Sequence, residues 1–179
     1  MQSKISVLQV IPQLDVSGAS QGCIDVANYL IENHHNCVVM TLSGKRVKNA
    51  KNKDIKVIIS PVHSKNPITI FSNIFRLLKV IRDYHIDIIH VRSRAPAWSC
   101  LFASKVSGKK FISTFHGTYN FNNFIQKFYN SIMLKADGTI AISSFIEDQI
   151  KSQYPKAPKN LKVIYRGIDS KIFNSNNVN

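Results

Sequence analysis

Acidic residues are scarce: the chain carries 10 Asp and Glu against 24 Lys and Arg, a formal net charge of +14. Aspartates such as Asp15, Asp25, Asp87, Asp137, Asp148 and Asp169 are scattered across different elements, and no paired-carboxylate centre, Ser-His-Asp set or metal cluster emerges from them. Cysteine is also rare. Cys23, Cys37 and Cys100 are odd in number, lack C-x-x-C spacing and have no histidine pattern nearby, which argues against a disulfide framework or a zinc site and fits a reducing cytoplasm. No apolar run reaches the roughly 20 residues of a membrane-spanning helix. The opening MQSKISVLQVIP has one lysine, a short strand-like run and no small-residue cleavage site, so a secretory signal is not expected. A soluble cytoplasmic protein without a metal or cofactor is the expectation.

What is present is a globular balance. The 179 residues are 44% hydrophobic and 19% charged, enough apolar material for one domain to bury its own core. The positive field concentrates polyanions, whether nucleic acid, an anionic membrane surface or phosphorylated substrates. The same excess of Lys, Asn and Ile also arises from an AT-rich genome, so charge alone does not choose among these.

Ile5 to Ile11 (ISVLQVI) is a short apolar run closed by Pro12, as expected of a strand buried on both faces of a parallel sheet. Ser17, Gly18 and Gly22 follow, then Ile24, Ala27, Leu30 and Ile31 at helical spacing. The alternation continues with strands at 37–42, 56–59, 86–91, 111–115, 139–142 and 161–165, and helices at 96–106, 124–135 and 145–153. Lys45 to Asp54 reads as a solvated loop. Pro67 opens the clearest helix, with an apolar stripe of Ile70, Phe71, Ile74, Leu77, Leu78 and Ile81, and with Arg76, Lys79, Arg82 and Asp83 outside it. Strands alternating with helices imply right-handed crossovers. The fold class is α/β, a Rossmann-like open, mostly parallel sheet with helices on both faces.

In such sheets ligands bind beyond the carboxyl ends of the strands. After the first strand, Ser17, Gly18 and Ala19 belong to a small-residue turn whose backbone N–H groups can face a phosphate. The plainer alternative is a tight connection that needs glycine for its backbone angles, and the full G-x-G-x-x-G spacing is missing. After the fourth strand, HVRSRAPAW places Arg92 and Arg94 to hold a phosphate or carboxylate, or simply on the surface. After the fifth, TFHGTYNF puts His116, Gly117 and Tyr119 at the sheet's end, where an imidazole can meet a substrate hydroxyl or phosphate or serve a structural role. Phe121, Phe124, Phe128, Tyr129, Ile132 and Met133 make the next helix aromatic. Core packing explains that stripe first, and a membrane or acceptor-lipid surface second.

Four segments taken in order, VLQVIPQLDVSGASQG, DIIHVRSRAPAW, FISTFHGTYNF and DGTIAISSFIEDQI followed by KVIYRGIDSKIF, resemble the N-terminal half of the retaining glycosyltransferases of family 4. That resemblance implies the acceptor-side half of a two-domain GT-B fold over residues 1–168, with 169–179 beginning an interdomain linker. It implies Gly18 near the donor phosphate, with Ser17 and Ala19 in the same loop, and His116 near the transferred sugar. Arg92, Arg94, Gly117, Tyr119 and Ser143 fall in the acceptor region, the arginines suiting an anionic or phosphorylated acceptor. Arg166, Gly167, Ile168, Asp169 and Phe173 would mark the crossing to the second domain.

A nucleotide-sugar co-substrate, a glycan or lipid-linked acceptor, peripheral contact with the inner face of the membrane and a role in envelope or lipopolysaccharide synthesis follow as expectations. The family's glycine-glycine-glutamate is replaced here by Ser17, Gly18, Ala19 and Ser20, and its asparagine by Arg166. The family's second domain carries the nucleotide site and paired glutamates, which do not occur before Asn179. The chain alone is therefore expected not to turn over, and a separate donor-domain polypeptide is a possible partner. The competing class is a basic module binding nucleic acid or an anionic membrane surface, whose binding would weaken steeply with salt.

Overall fold

The computed structural model describes residues 4–51, 55–119, 123–156 and 159–167. Seven strands form one sheet: β1 (Ser6–Val10), β2 (Asn36–Thr41), β3 (Lys56–Ile59), β4 (Ile88–Val91), β5 (Lys110–Phe115), β6 (Gly138–Ala141) and β7 (Leu161–Val163). Their order is β3-β2-β1-β4-β5-β6-β7, and every pairing among them is parallel. Six helices connect them: α1 (Gly18–Glu32), α2 (Val47–Lys51), α3 (Pro67–Asp83), α4 (Arg94–Ser107), α5 (Phe124–Ser131), continued by a 3-10 turn over Ile132–Lys135, and α6 (Ser144–Gln153).

Alternation along the strands builds two cores. Val7, Cys37 and Val39 face Cys23, Ile24 and Ala27 of α1 and Ala50 of α2. Leu8, Val10, Val38 and Met40 belong to the opposite layer with α3, α4, α6 and the 3-10 turn. The direction in which successive strands are added to the sheet reverses between β1 and β4, which makes the ends of those two strands the switch point where α/β sheets open a crevice. Two of the helices that follow strands are capped by a serine side chain. Ser17 accepts from Ser20 N–H at 3.2 Å to start α1, and Ser143 accepts from Ile146 N–H at 3.3 Å to start α6. At the far end of α4, Gly108 takes φ +67, the left-handed conformation that ends a helix without strain in glycine.

Three readings change. The stretch from Lys45 is not all solvated loop: it contains α2, and Ala50 is fully buried in the apolar cluster shared with α1, because one small residue among polar ones suffices to dock a single turn. In α3 the stripe is rotated. Leu77 and Ile81 are buried as expected, but Phe71 is 62% exposed while Asn73 and Val80 face inward, Asn73 donating to Pro61 C=O at 3.0 Å. The aromatic helix packs only by its second half: Ile132 and Met133 are buried, whereas Phe124 and Phe128 are exposed and Phe121 lies outside the described residues.

Candidate functional site

Gln9 is the one amide inside the apolar run of β1, and it is completely buried on the face toward α1. Its Nε2 donates to Cys23 C=O at 2.8 Å and to Cys37 Sγ at 3.4 Å, which fixes the amide and turns Oε1 toward the end of β4. Arg92 meets it there. Arg92 Nε and Nη2 both donate to Gln9 Oε1, at 2.8 and 2.5 Å. The Arg92 side chain is thereby aimed across the switch point, and its Nη1 reaches to 3.5 Å from His116 Nε2.

His116 follows the last residue of β5. Its other ring nitrogen, Nδ1, lies 2.5 Å from Nη2 of Arg166, which arrives from beyond β7. Burial pushes the His116 imidazole down from 6.5 to about 3, and the charges of Arg92 and Arg166 add to that push. The ring is neutral at any working pH. Gly18 belongs to the same cluster, because a Cβ there would collide with Arg166 Nη1. The glycine is needed for this close approach, and Ser17 beside it serves as the cap of α1.

Arg94 points elsewhere. The chain is extended at Ser93 and then enters α4, so two residues that would share a face in a strand diverge. Arg94 lies 4.3 Å over the ring of Tyr119 and its Nη1 donates to Asn130 Oδ1 at 2.7 Å. These residues line a 440 Å³ cavity with Lys65, Thr118, Gln126 and Tyr129. Gln126 Oε1 and Tyr129 Oη are buried there without a hydrogen-bond partner among the described residues. Burial pushes Tyr119 up to about 12, with Arg94 pulling the other way, so its phenol keeps its proton. The floor is braced by Trp98, stacked on Tyr129 at 6.0 Å and tilted against Phe128 at 5.8 Å.

The sequence-derived residues thus fall into two groups. Gly18, Arg92 and His116 converge; Arg94 and Tyr119 form the neighbouring pocket. Ser143 caps α6, and Gly117 faces open space. Arg92 and Arg94 do not form one clamp. Gln9 is not among the residues the sequence motifs single out, although a lone amide in ISVLQVI signals a buried polar contact. In the sequence Arg166 marks only a domain boundary, Tyr129 stands only as a member of the aromatic stripe, and Lys65, Gln126 and Asn130 carry no signal. His90 is buried within β4 and its Nε2 is 2.7 Å from Thr114 Oγ1, a packing role. Ile168, Asp169 and Phe173 lie outside the described residues.

Residues 16–171 match the model of Glycosyltransferase Family 4. The chain belongs to this family. A glycosyltransferase from Rickettsia africae is 38% identical, with a TM-score of 0.85 over 98% of this chain and 46% of that one. Two more distant structures share the fold. The Anabaena HepE protein, solved with UDP and glucose, is 16% identical with a TM-score of 0.74, over 94% of this chain and 46% of its own. The lipopolysaccharide outer core galactosyltransferase WaaB is 18% identical with a TM-score of 0.66, over 93% of this chain and 46% of its own. A search of curated proteins gives no match. The family 4 chain described here spans about half the length of these solved relatives and corresponds to an N-terminal half domain of the GT-B architecture.

Proposed function

We propose that this chain supplies the acceptor-side half of a glycosyltransferase that moves a sugar, with retention, from a nucleotide-sugar to a glycan or lipid-linked acceptor. The observation that carries the reading is the convergence of Gly18, Arg92 and His116 at the switch point of a family 4 fold. The α1 turn at Gly18 stands on the donor-phosphate side, with Ser17 and Ala19 shaping it. His116, neutral and fixed between two guanidiniums, faces the transferred sugar as a hydrogen-bonding group rather than an acid. The cavity of Arg94 and Tyr119 takes the acceptor, its aromatic and amide walls suiting a sugar ring and its cations a phosphate.

The UDP and glucose bound to HepE, and WaaB being a lipopolysaccharide outer core galactosyltransferase, favour a UDP-sugar donor and an envelope polysaccharide. The net charge of +14 favours work at an anionic inner membrane surface. Both walls of a cleft are needed to exclude water and place the sugar. Release of UDP from UDP-sugars is therefore expected only when the chain is combined with a donor-domain polypeptide. In that pair His116→Ala should lower transfer by about 100-fold or more, the loss of a preorganised polar contact. Steady turnover by the isolated chain would sink the half-enzyme reading. Salt-sensitive binding to DNA, with no transfer in any pairing, would favour the basic-module alternative.

A further inference from the structure

The start of α5 carries an apolar surface that the fold does not bury. Phe124 is 83% exposed, Ile125 76% and Phe128 53%. Positions i, i+1 and i+4 lie side by side on a helix, so the three form one patch, unlike single exposed apolar residues, which need no explanation. Phe128 is packed on one side, its ring tilted against Trp98 at 5.8 Å.

What lies beside this patch sets it apart. Ile125 also belongs to the wall of the 440 Å³ cavity, next to Gln126 and Tyr129, so apolar surface runs from that cavity onto the outside of α5. The same cavity holds two cations, Lys65 and Arg94. Among the described residues no acidic side chain lines it, and no ion pair reaches either cation. Phe71 and Phe75 of α3 are as exposed as Phe128, but they meet each other edge to face at 5.2 Å, and no residue of α3 lines the cavity. The α5 patch is thus the apolar margin of a cationic pocket. A free glycan would leave Phe124 and Ile125 in water. A guest with an anionic head and a hydrocarbon tail covers both surfaces at once, gaining free energy with each methylene laid on the patch.

We infer that Phe124, Ile125 and Phe128 form the binding surface for the hydrocarbon chain of a lipid-linked acceptor, whose anionic linkage enters the cavity at Lys65 and Arg94. This order leaves the sugar to be extended at Thr118 and Tyr119, the wall that leads back to His116. The inference rests on the reading of this cavity as the acceptor site and narrows the acceptor to the lipid-linked class.

Emission of Trp98, the single tryptophan of the chain, reports the site through its contacts with Phe128 and Tyr129. Titration of the chain with methyl, butyl and octyl phosphate should give saturable changes, with an affinity that rises about twofold to fourfold per buried methylene. Phe124→Ser combined with Ile125→Ser, at two exposed positions whose folding a urea midpoint checks, should flatten that rise. Phe75→Ser on α3 should leave it as steep. Arg94→Gln should weaken every member of the series about tenfold or more and keep the slope, since it removes a charge-assisted hydrogen bond and no apolar surface. No saturable binding, equal affinities along the series, or a slope that survives the double variant overturns the inference. So does light scattering that finds a dimer which the double variant dissociates, because a second copy then covers α5. The transferase reading fails separately: octyl phosphate bound with the expected slope, but no sugar transferred in any pairing with a donor-domain polypeptide, would leave the inference standing.

Discussion

Arg92 and Arg94 stand two residues apart and live in different physical surroundings. Arg92 is buried, tied to an amide inside the sheet, and directed at a histidine, with no ion pair to it among the described residues. Arg94 sits half-buried on an aromatic ring at the edge of a 440 Å³ cavity, its charge spread over Tyr119 and its hydrogen bond given to Asn130. The difference teaches that position after a strand does not define one role. The first arginine belongs to the sheet's interior electrostatics and the second to a recognition surface.

The comparison can be broken most forcefully at Arg92. Arg92→Ala strands Gln9 Oε1 and opens a cavity, so its urea midpoint should report a loss of about 2–4 kcal/mol. Arg94→Ala should cost about 1 kcal/mol. Pairing Arg92→Met with Gln9→Leu should recover most of the larger loss, because an apolar pair of similar size replaces a buried charge and its partner. A double variant no better than Arg92→Ala would show that the Gln9 contact is not what is lost.

Acid separates the two regions next. His90 and His116 are held below their ordinary value of 6.5, each by burial first and nearby positive charge second. The unfolded chain takes up these protons near pH 6.5 and the folded chain does not. The stability they confer is complete above pH 6.5 and falls as the pH drops toward 3, with a slope of at most about 1.4 kcal/mol per pH unit per histidine. Urea midpoints between pH 7 and pH 4 should show this decline, and His116→Gln should remove its share. Arg94→Ala should leave the slope as it was.

A finer cut uses Gly18→Ala, whose Cβ would displace Arg166. The urea midpoint should report a loss of about 1 kcal/mol, the worth of the Arg166–His116 hydrogen bond, since the cation is moved rather than removed. The smallest effect belongs to Arg94→Lys. It keeps the charge and gives up the planar stack on Tyr119, worth about 0.5–1 kcal/mol in a thermal melt.

Much of the fold could be read from apolar periodicity, because parallel strands buried on both faces and helices with one apolar stripe leave strong, distinct signals. Pro67, the glycine turn and the TFHG segment gave their positions to within a residue or two. The split between Arg92 and Arg94 was hidden since the period changes from 2 to 3.6 between them, at Ser93. Arg166 was hidden for a different reason: its contact with His116 spans 50 residues, and only the sheet order brings the two together. Phe124 and Phe128 misled because an apolar stripe records what a helix can bury, while the partner surface decides how much it does bury.

The serine caps bear on how the cleft responds to its surroundings. Ser17 and Ser143 commit their hydroxyl oxygens to helix starts, and among the described residues the charged or titratable groups in contact at His116 are two guanidiniums and its own imidazole, which stays neutral above about pH 3. None of these changes its charge between mildly acidic and mildly alkaline conditions. A phosphate monoester gains its second negative charge near pH 6, whereas a plain sugar gains none. The cleft is a frame of constant charge, so any pH profile of binding near neutrality records the ionisation of the guest.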